Sequence, residues 1–309
     1  MADISASFAG LSLRKCIYNA SGARSMTPEE LAALGNSEAG AILTKSCTLL
    51  PREGNPEPRY QDLEWGSLNS MGLPNLGYEK YIELSPELKK YGKPVFASVS
   101  GLSLEDNMKI IEAMNASEFD AVELNLSCPN IPGKPQVGYD FEDTEKYLEE
   151  ISAICRKPLG LKLPPYFDFA HFEQMAGIIK KFRVRFLSCI NAIGNALVID
   201  SEKEIVIIKP KGGFGGLGGR YIKPAALANV RKFHELLPDI PIIGVGGIFT
   251  GRDVFEFVLA GATAVQLGTV LMQEGTSCFG RVARELEEIM DKKGYPSLER
   301  FRGKLKVIE

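Results

Sequence analysis

Residues Asp120 to Asn130 read D-A-V-E-L-N-L-S-C-P-N, and the fold can be read outward from them. The first part is an apolar alternation through Ala121, Val122, Leu124 and Leu126, the pattern of a strand. The second part, Ser127-Cys128-Pro129-Asn130, turns the chain abruptly. Asn125, Cys128 and Asn130 are therefore crowded at the strand's C-terminal end. Amides around a thiol suit a polar, planar ligand from which a proton must be moved. The same residues also describe a buried structural cysteine beside turn-forming asparagines, because free cysteine is among the most buried residue types.

Similar short apolar runs recur on both sides. Ile17–Gly22, Ala39–Ser46 and Pro94–Gly101 precede this strand; Pro158–Pro164, Arg185–Gly194, Pro241–Ile248 and Ala264–Thr269 follow it. Helical segments alternate with them, at about Thr27–Leu34, Leu104–Met114, Phe141–Cys155, Phe169–Phe182, Pro224–Leu237, Arg252–Leu259 and Phe279–Lys292. The first opens on Thr27-Pro28-Glu29-Glu30, an N-cap, a proline at N1 and two first-turn acids. Eight strands alternating with helices, seven of them delimited, predict the α/β class and a (β/α)8 TIM barrel in one domain, residues 1–309. The active site is expected at the C-terminal ends of its strands. Two insertions fall on that face, Leu50–Tyr78 and the glycine-rich Asp200–Tyr221, and both are candidate lids.

The 309 residues are 45% hydrophobic and 24% charged, with a net charge of −3 and no long basic block, so nucleic acid and anionic membranes are not expected partners. No apolar run reaches the ~20 residues of a membrane span, and the start carries no secretory signal, so a cytoplasmic location is expected. Six scattered cysteines without a C-x-x-C pair are expected as thiols. Two histidines, His171 and His234, are too few for a His-based zinc site, and no metal is expected.

The ends of the last two strands carry Gly246-Gly247 and Gly268-Thr269, where parallel barrels often bind phosphate; plain tight turns are the alternative. Lys45-Ser46 ends the second strand, and Lys162 lies near the end of the fifth. A lysine buried there needs an anion or a developing negative charge. It could instead pair with Glu123, or act as a Schiff-base amine. The G-x-G-x-x-G at Gly213, Gly215 and Gly218 lacks an immediate helix and is read as a loop closing over a ligand rather than a dinucleotide fingerprint.

Four long runs then carry a resemblance: N-S-M-G-L-P-N-L-G (Asn69–Gly77), the run Glu123–Gln136, K-L-P-P-Y-F-D (Lys162–Asp168) and the run Ile208–Gly219. In this order they make the chain resemble the dihydroorotate dehydrogenases over essentially its whole length, most closely the class 1A subfamily, which uses FMN and passes electrons to fumarate. The membrane-associated class has an N-terminal helical extension and a serine base, whereas Cys128 stands at the base position here. Nothing in the chain calls for the iron–sulfur partner subunit of the heteromeric class.

The resemblance implies that Ala20, Ser21, Gly22, Lys45, Ser46, Asn125, Lys162 and Ile190 hold the flavin ring. Gly219, Gly246, Gly247, Gly268 and Thr269 would wrap its ribityl phosphate. Lys45, Asn69, Met71, Gly72, Leu73, Asn125, Asn130 and Asn191 would bind dihydroorotate. Cys128 would be the catalytic base, with Lys45 beside it, in a homodimer. Three positions depart from the pattern. Ala192 stands where the family usually has a hydroxyl that contacts the pyrimidine, Ala196 replaces a glycine, and Arg24 brings a charge close to the expected flavin. Ala192 keeps open an FMN-dependent paralogue acting on a related dihydropyrimidine or small carboxylate. A Schiff-base barrel lyase and a catalytically silent flavin-binding protein are the other rivals.

Overall fold

The computed structural model describes residues 2–127 and 136–308. Eight parallel strands form one sheet: β1 Ile17–Asn19, β2 Ile42–Leu43, β3 Val95–Val99, β4 Ala121–Asn125, β5 Leu159–Leu163, β6 Val184–Cys189, β7 Ile242–Val245 and β8 Ala262–Leu267. Their order is β1-β8-β7-β6-β5-β4-β3-β2, the sequential order of a (β/α)8 barrel. The seam between β1 and β2 carries one backbone bond, from the Gly40 N–H to the Ile17 carbonyl (2.8 Å), and a side chain that bridges further along. Asn19 donates through Nδ2 to the Leu43 carbonyl (2.7 Å) and accepts at Oδ1 from the Leu43 N–H (3.0 Å). The amide of Asn19 thus stands in for a backbone rung.

The helices cover the outside: α1 Pro28–Asn36, α2 Tyr78–Lys89, α3 Leu104–Asn115, α4 Phe141–Ile154, α5 Phe169–Ile179, α6 Lys223–Leu236, α7 Gly251–Ala260 and α8 Ser277–Lys293. Thr27 caps α1 reciprocally with Glu30, as its sequence predicts. The helix α2 was not delimited in the sequence; an internal Pro86 and a glycine at its N-cap hide its start and continuity. Strands β3, β5 and β8 are buried at every position, because helices cover one face and the barrel interior the other. Among the described residues no helix is long and apolar enough to cross a membrane.

An N-terminal hairpin, Ala6–Phe8 paired with Leu11–Leu13, precedes the barrel. Its Phe8 ring meets Phe186 edge-on at 5.4 Å and lies 6.0 Å from Phe96, so the barrel's N-terminal mouth has an aromatic plug. At Gly160 on β5 an added Cβ would sit 2.2 Å from the Phe186 ring, and only glycine leaves room for the plug.

The two insertions are not simple loops. Tyr60–Leu63, Gly66–Asn69, Ile193–Ala196 and Gly215–Gly219 form a four-stranded antiparallel sheet at the other end of the barrel. The run expected as a glycine loop is thus a strand, paired from Gly216↔Asn69 to Gly219↔Gly66. Glycine has little strand propensity of its own, but missing side chains let two backbones pair closely over the barrel mouth.

Candidate active site

Under this small sheet the C-terminal strand ends surround a cavity of about 1240 Å³, its open mouth included. Ala20, Ser21 and Gly22 line it from the end of β1, and Lys45 and Ser46 from the end of β2. Asn125 on β4, Lys162 on β5, and Ile190 with Asn191 after β6 continue the wall. Gly246 and Gly247 after β7, Gly268 and Thr269 after β8, and Gly219 close one end; Asn69, Met71 and Leu73 cover the mouth. Residues expected from distant parts of the chain are thus brought together. Gly72 is the exception: it shapes the turn between Met71 and Leu73 at φ +73°, and a Cβ there would point at Asn55 instead. Cys128 and Asn130 lie outside the described residues.

The cavity floor is a buried polar layer above the aromatic plug. Lys162 donates to Gln266 Oε1 (3.1 Å), and Gln266 Nε2 donates to Glu123 Oε2 (2.8 Å). Ser188 donates to the same carboxylate oxygen at 2.6 Å, and Tyr18 Oη lies 3.2 Å from Gln266 Nε2. All five side chains come from barrel strands and are almost wholly buried. Burial pushes the Lys162 ammonium below its ordinary pKa, while the nearby Glu123 charge works the other way. The alternative of a Lys162–Glu123 pair is met only indirectly: no ion pair joins them, and the Gln266 amide lies between.

Beside this floor the amides are held in place. Asn125 accepts from the Ser127 N–H (3.1 Å) and hydroxyl (2.8 Å) and donates to Ser46 Oγ (3.3 Å), which itself bonds Ser98 at 2.8 Å. Asn191 donates to the Ser127 carbonyl at 2.7 Å. Ser127, the residue before Cys128, is thereby gripped from two strands. Lys45 is 7% exposed, and its Nζ lies 4.0 Å from where a Cβ on Gly22 would stand.

At the opposite end Gly246, Gly247 and Gly219 have φ of +123°, +74° and +81°. A Cβ at Gly247 would come within 2.6 Å of the Lys223 Cβ and 2.9 Å of the Gly219 carbonyl, so backbone alone fits there. Ser67 and Thr269 meet at 3.2 Å between their hydroxyl oxygens and tie the covering sheet to the end of β8.

Several wall residues were not foreseen, among them Tyr60, Ser67, Gly216 and Gln266, whereas Gly218 of the glycine run does line the cavity. Gln266 had a legible signal, a lone amide in the apolar strand A-V-Q-L-G-T. Of the three departures from the family pattern, Ala192 does line the cavity. Ala196 pairs with Gly215 in the covering sheet, away from the lining. Arg24 is turned away: it donates to the Leu271 and Met272 carbonyls (3.0 and 2.8 Å), at the end of the short helix Thr269–Glu274, and does not line the cavity.

Comparison with known proteins agrees with this arrangement. The model of the dihydroorotate dehydrogenase family matches residues 3–290. The "Dihydroorotate dehydrogenase (fumarate)" of Lachancea kluyveri is 53% identical, covering 99% of both chains. The "Dihydroorotate dehydrogenase A (fumarate)" of Lactococcus lactis is 54% identical over 97% of this chain and 98% of its own, and a probable one from Enterococcus faecalis is 56% identical over 99% and 100%. In fold, the chain is similar to the crystal structure of DHODH from Eimeria tenella in complex with ferulenol, with a TM-score of 0.79 at 19% identity, covering 98% of this chain and 88% of that one. The chain belongs to the dihydroorotate dehydrogenase family, in its fumarate-dependent class 1A branch.

Proposed function

We propose that this protein oxidises (S)-dihydroorotate to orotate in pyrimidine biosynthesis, with FMN as its cofactor and fumarate as its electron acceptor. The observation that carries the reading is Lys162: a buried ammonium, hydrogen-bonded to a neutral amide, at the floor of a large cavity. Such a charge is costly to keep unless an anion or a developing negative charge meets it. The cavity's two ends fit FMN. Gly246, Gly247 and Gly219 leave bare backbone for a phosphate, and Gly22 turns toward the cavity beside Lys45.

In this reading Ala20, Ser21, Gly22, Ser46, Asn125 and Ile190 hold the ring, and Gly219, Gly246, Gly247, Gly268 and Thr269 hold the phosphate. Bound FMN supplies the acceptor for the hydride that leaves C6 and later the donor to fumarate. Lys162 keeps a positive charge where electron density accumulates. The amides of Asn69, Asn125, Asn130 and Asn191 match the imide edge of the substrate, each offering donor and acceptor, and Lys45 takes the carboxylate. Met71, Gly72 and Leu73 cover it. Cys128 removes the C5 proton as the C5=C6 double bond forms. A free thiol ionises at about 8.5, closer to neutrality than a hydroxyl, which suits the residue type at Cys128 to act as a base.

The test is anaerobic. Dihydroorotate mixed with the yellow protein should bleach its visible flavin band, and fumarate should restore it. A band that persists would refute the dihydroorotate assignment and favour the paralogue reading, for which the hydroxyl missing at Ala192 is the specific support. A Schiff-base lyase would instead be trapped covalently by borohydride with a carbonyl substrate. We further propose a cytoplasmic homodimer, for which exposed Leu197, Ile199 and Ile205 offer apolar contact area.

A further inference from the structure

Gln266 has a role that the substrate and cofactor contacts do not assign. Its amide can face the barrel floor in two ways, and its neighbours choose between them. With Nε2 on Glu123 and Oε1 on Lys162, both contacts are attractive. Reversed, the carbonyl would face a carboxylate and the NH2 an ammonium, leaving both charges opposed by like dipoles. The packing is too tight for a third option, since Gln266, Glu123 and Lys162 are 1–3% exposed. The Tyr18 and Ser188 hydroxyl oxygens lie against the same Nε2 at 3.2 and 3.3 Å and accept from it.

The consequence is electrostatic. Had Glu123 met Lys162 directly, the pair would be nearly neutral to anything in the cavity. With an amide between them, Glu123 still favours the ammonium form but does not cap it. The titratable groups against this layer are Glu123, Tyr18 and Cys189. We propose that Gln266 is a positioning residue, which holds Lys162 as an ammonium aimed into the cavity and keeps Glu123 one amide behind it, so that an anionic form of the bound ring is stabilised. This rests on the flavin reading given above.

The experiment uses holoprotein and sulfite, whose binding makes a bound flavin ring anionic and bleaches its band. In the Gln266→Met variant the sulfite dissociation constant should rise roughly tenfold to a hundredfold, the value of one hydrogen bond to a charged group, while flavin content stays at the parent level. Gln266→Glu should behave differently with pH. Protonated, the new carboxyl can accept from Lys162 and donate to Glu123, so affinity approaches the parent's in acid. Ionised, it caps Lys162 and opposes Glu123, so affinity falls as pH rises. Glu123→Gln, which changes no volume, keeps the protein testable if both variants fail to fold; its sulfite affinity should collapse at lower pH than the parent's. Parent-like sulfite binding and pH profile in the folded variants would overturn the role. A parent protein that holds no flavin would overturn the functional reading itself, and this inference with it.

Discussion

Replacing Gly22 by alanine separates the cavity from the fold. Gly22 sits in the turn Ala20–Ala23, closed by the Ala23 N–H on the Ala20 carbonyl at 3.2 Å, and its φ is not in the left-handed region. Alanine is therefore conformationally acceptable, and an added Cβ meets only Lys45 Nζ, at 4.0 Å. The folded apoprotein should be unchanged or gain about 0.4–1 kcal/mol, because alanine has fewer unfolded conformations to lose. In the proposed mode of flavin binding, however, the methyl group stands in space that the ring needs. Overpacking of that kind costs roughly 1–3 kcal/mol, or about tenfold to a hundredfold in affinity. Two measurements decide it: the melting temperature of the apoprotein and the dissociation constant of FMN by flavin fluorescence. The expected result is an apoprotein Tm within about 3 °C of the parent, with clearly weaker FMN. An unchanged FMN affinity would refute the assignment of Gly22 to the ring wall, and a large fall in apoprotein Tm would make it a turn glycine.

Cys128→Ala should slow flavin reduction by dihydroorotate about 10²–10⁴-fold in stopped flow and leave orotate binding within a few-fold; reduction at the parent's rate would remove Cys128 as the base. Ala192→Ser should restore the hydroxyl on the cavity wall and lower the dihydroorotate KM by roughly tenfold, while an unchanged or raised KM would mean that the substrate finds no partner there. Asp253 gives a pH-dependent term: burial would raise its pKa, but hydrogen bonds from Lys223, the Phe249 N–H and the Thr250 hydroxyl bring the carboxyl below its ordinary value. Its contribution is then complete above about pH 4 and is lost as pH falls through the lower folded value. Asp253→Asn should cost about 1–3 kcal/mol at neutral pH and flatten the acid limb of urea midpoints against pH; an acid limb as steep as the parent's would refute the sign.

The barrel was legible because each of its strands is an apolar run that ends in small or polar residues, and because helix signals such as Thr27–Glu30 stand between them. The N-terminal hairpin was not, because its turn is Ala9-Gly10 with φ of +53° and +78°; both central residues are left-handed, yet the first is not the Asn or Asp that would announce it. The covering sheet was hidden for a related reason. Its Gly215–Gly219 strand depends on a partner about 150 residues away, at Gly66–Asn69, and local propensity points the other way. At the site, residue types at strand ends could be read from sequence, and most of those named meet in one cavity. What could not be read was distance across the barrel. Lys162 and Glu123 were recognised as candidates for each other, but only the packed interior puts Gln266 between them.

That interior explains why charge is tolerated here at all. An ammonium and a carboxylate in a barrel usually lose more hydration than their attraction returns, and well-packed apolar side chains would stabilise the fold at least as well. The lower half of this barrel takes the apolar solution, with Phe8, Phe96 and Phe186 packed against one another. The layer above does not, and there Lys162 reaches the cavity. The charges are offset by Ser188 and Gln266, with Tyr18 accepting from the Gln266 amide, and one Glu123 oxygen has no hydrogen-bond partner among the described residues. A layer built for stability would have been apolar or, if charged, would have joined Lys162 to Glu123 directly. Under the proposed function, holding them apart leaves the ammonium for the ligand, and the stability given up in the barrel becomes electrostatic preorganisation at the site.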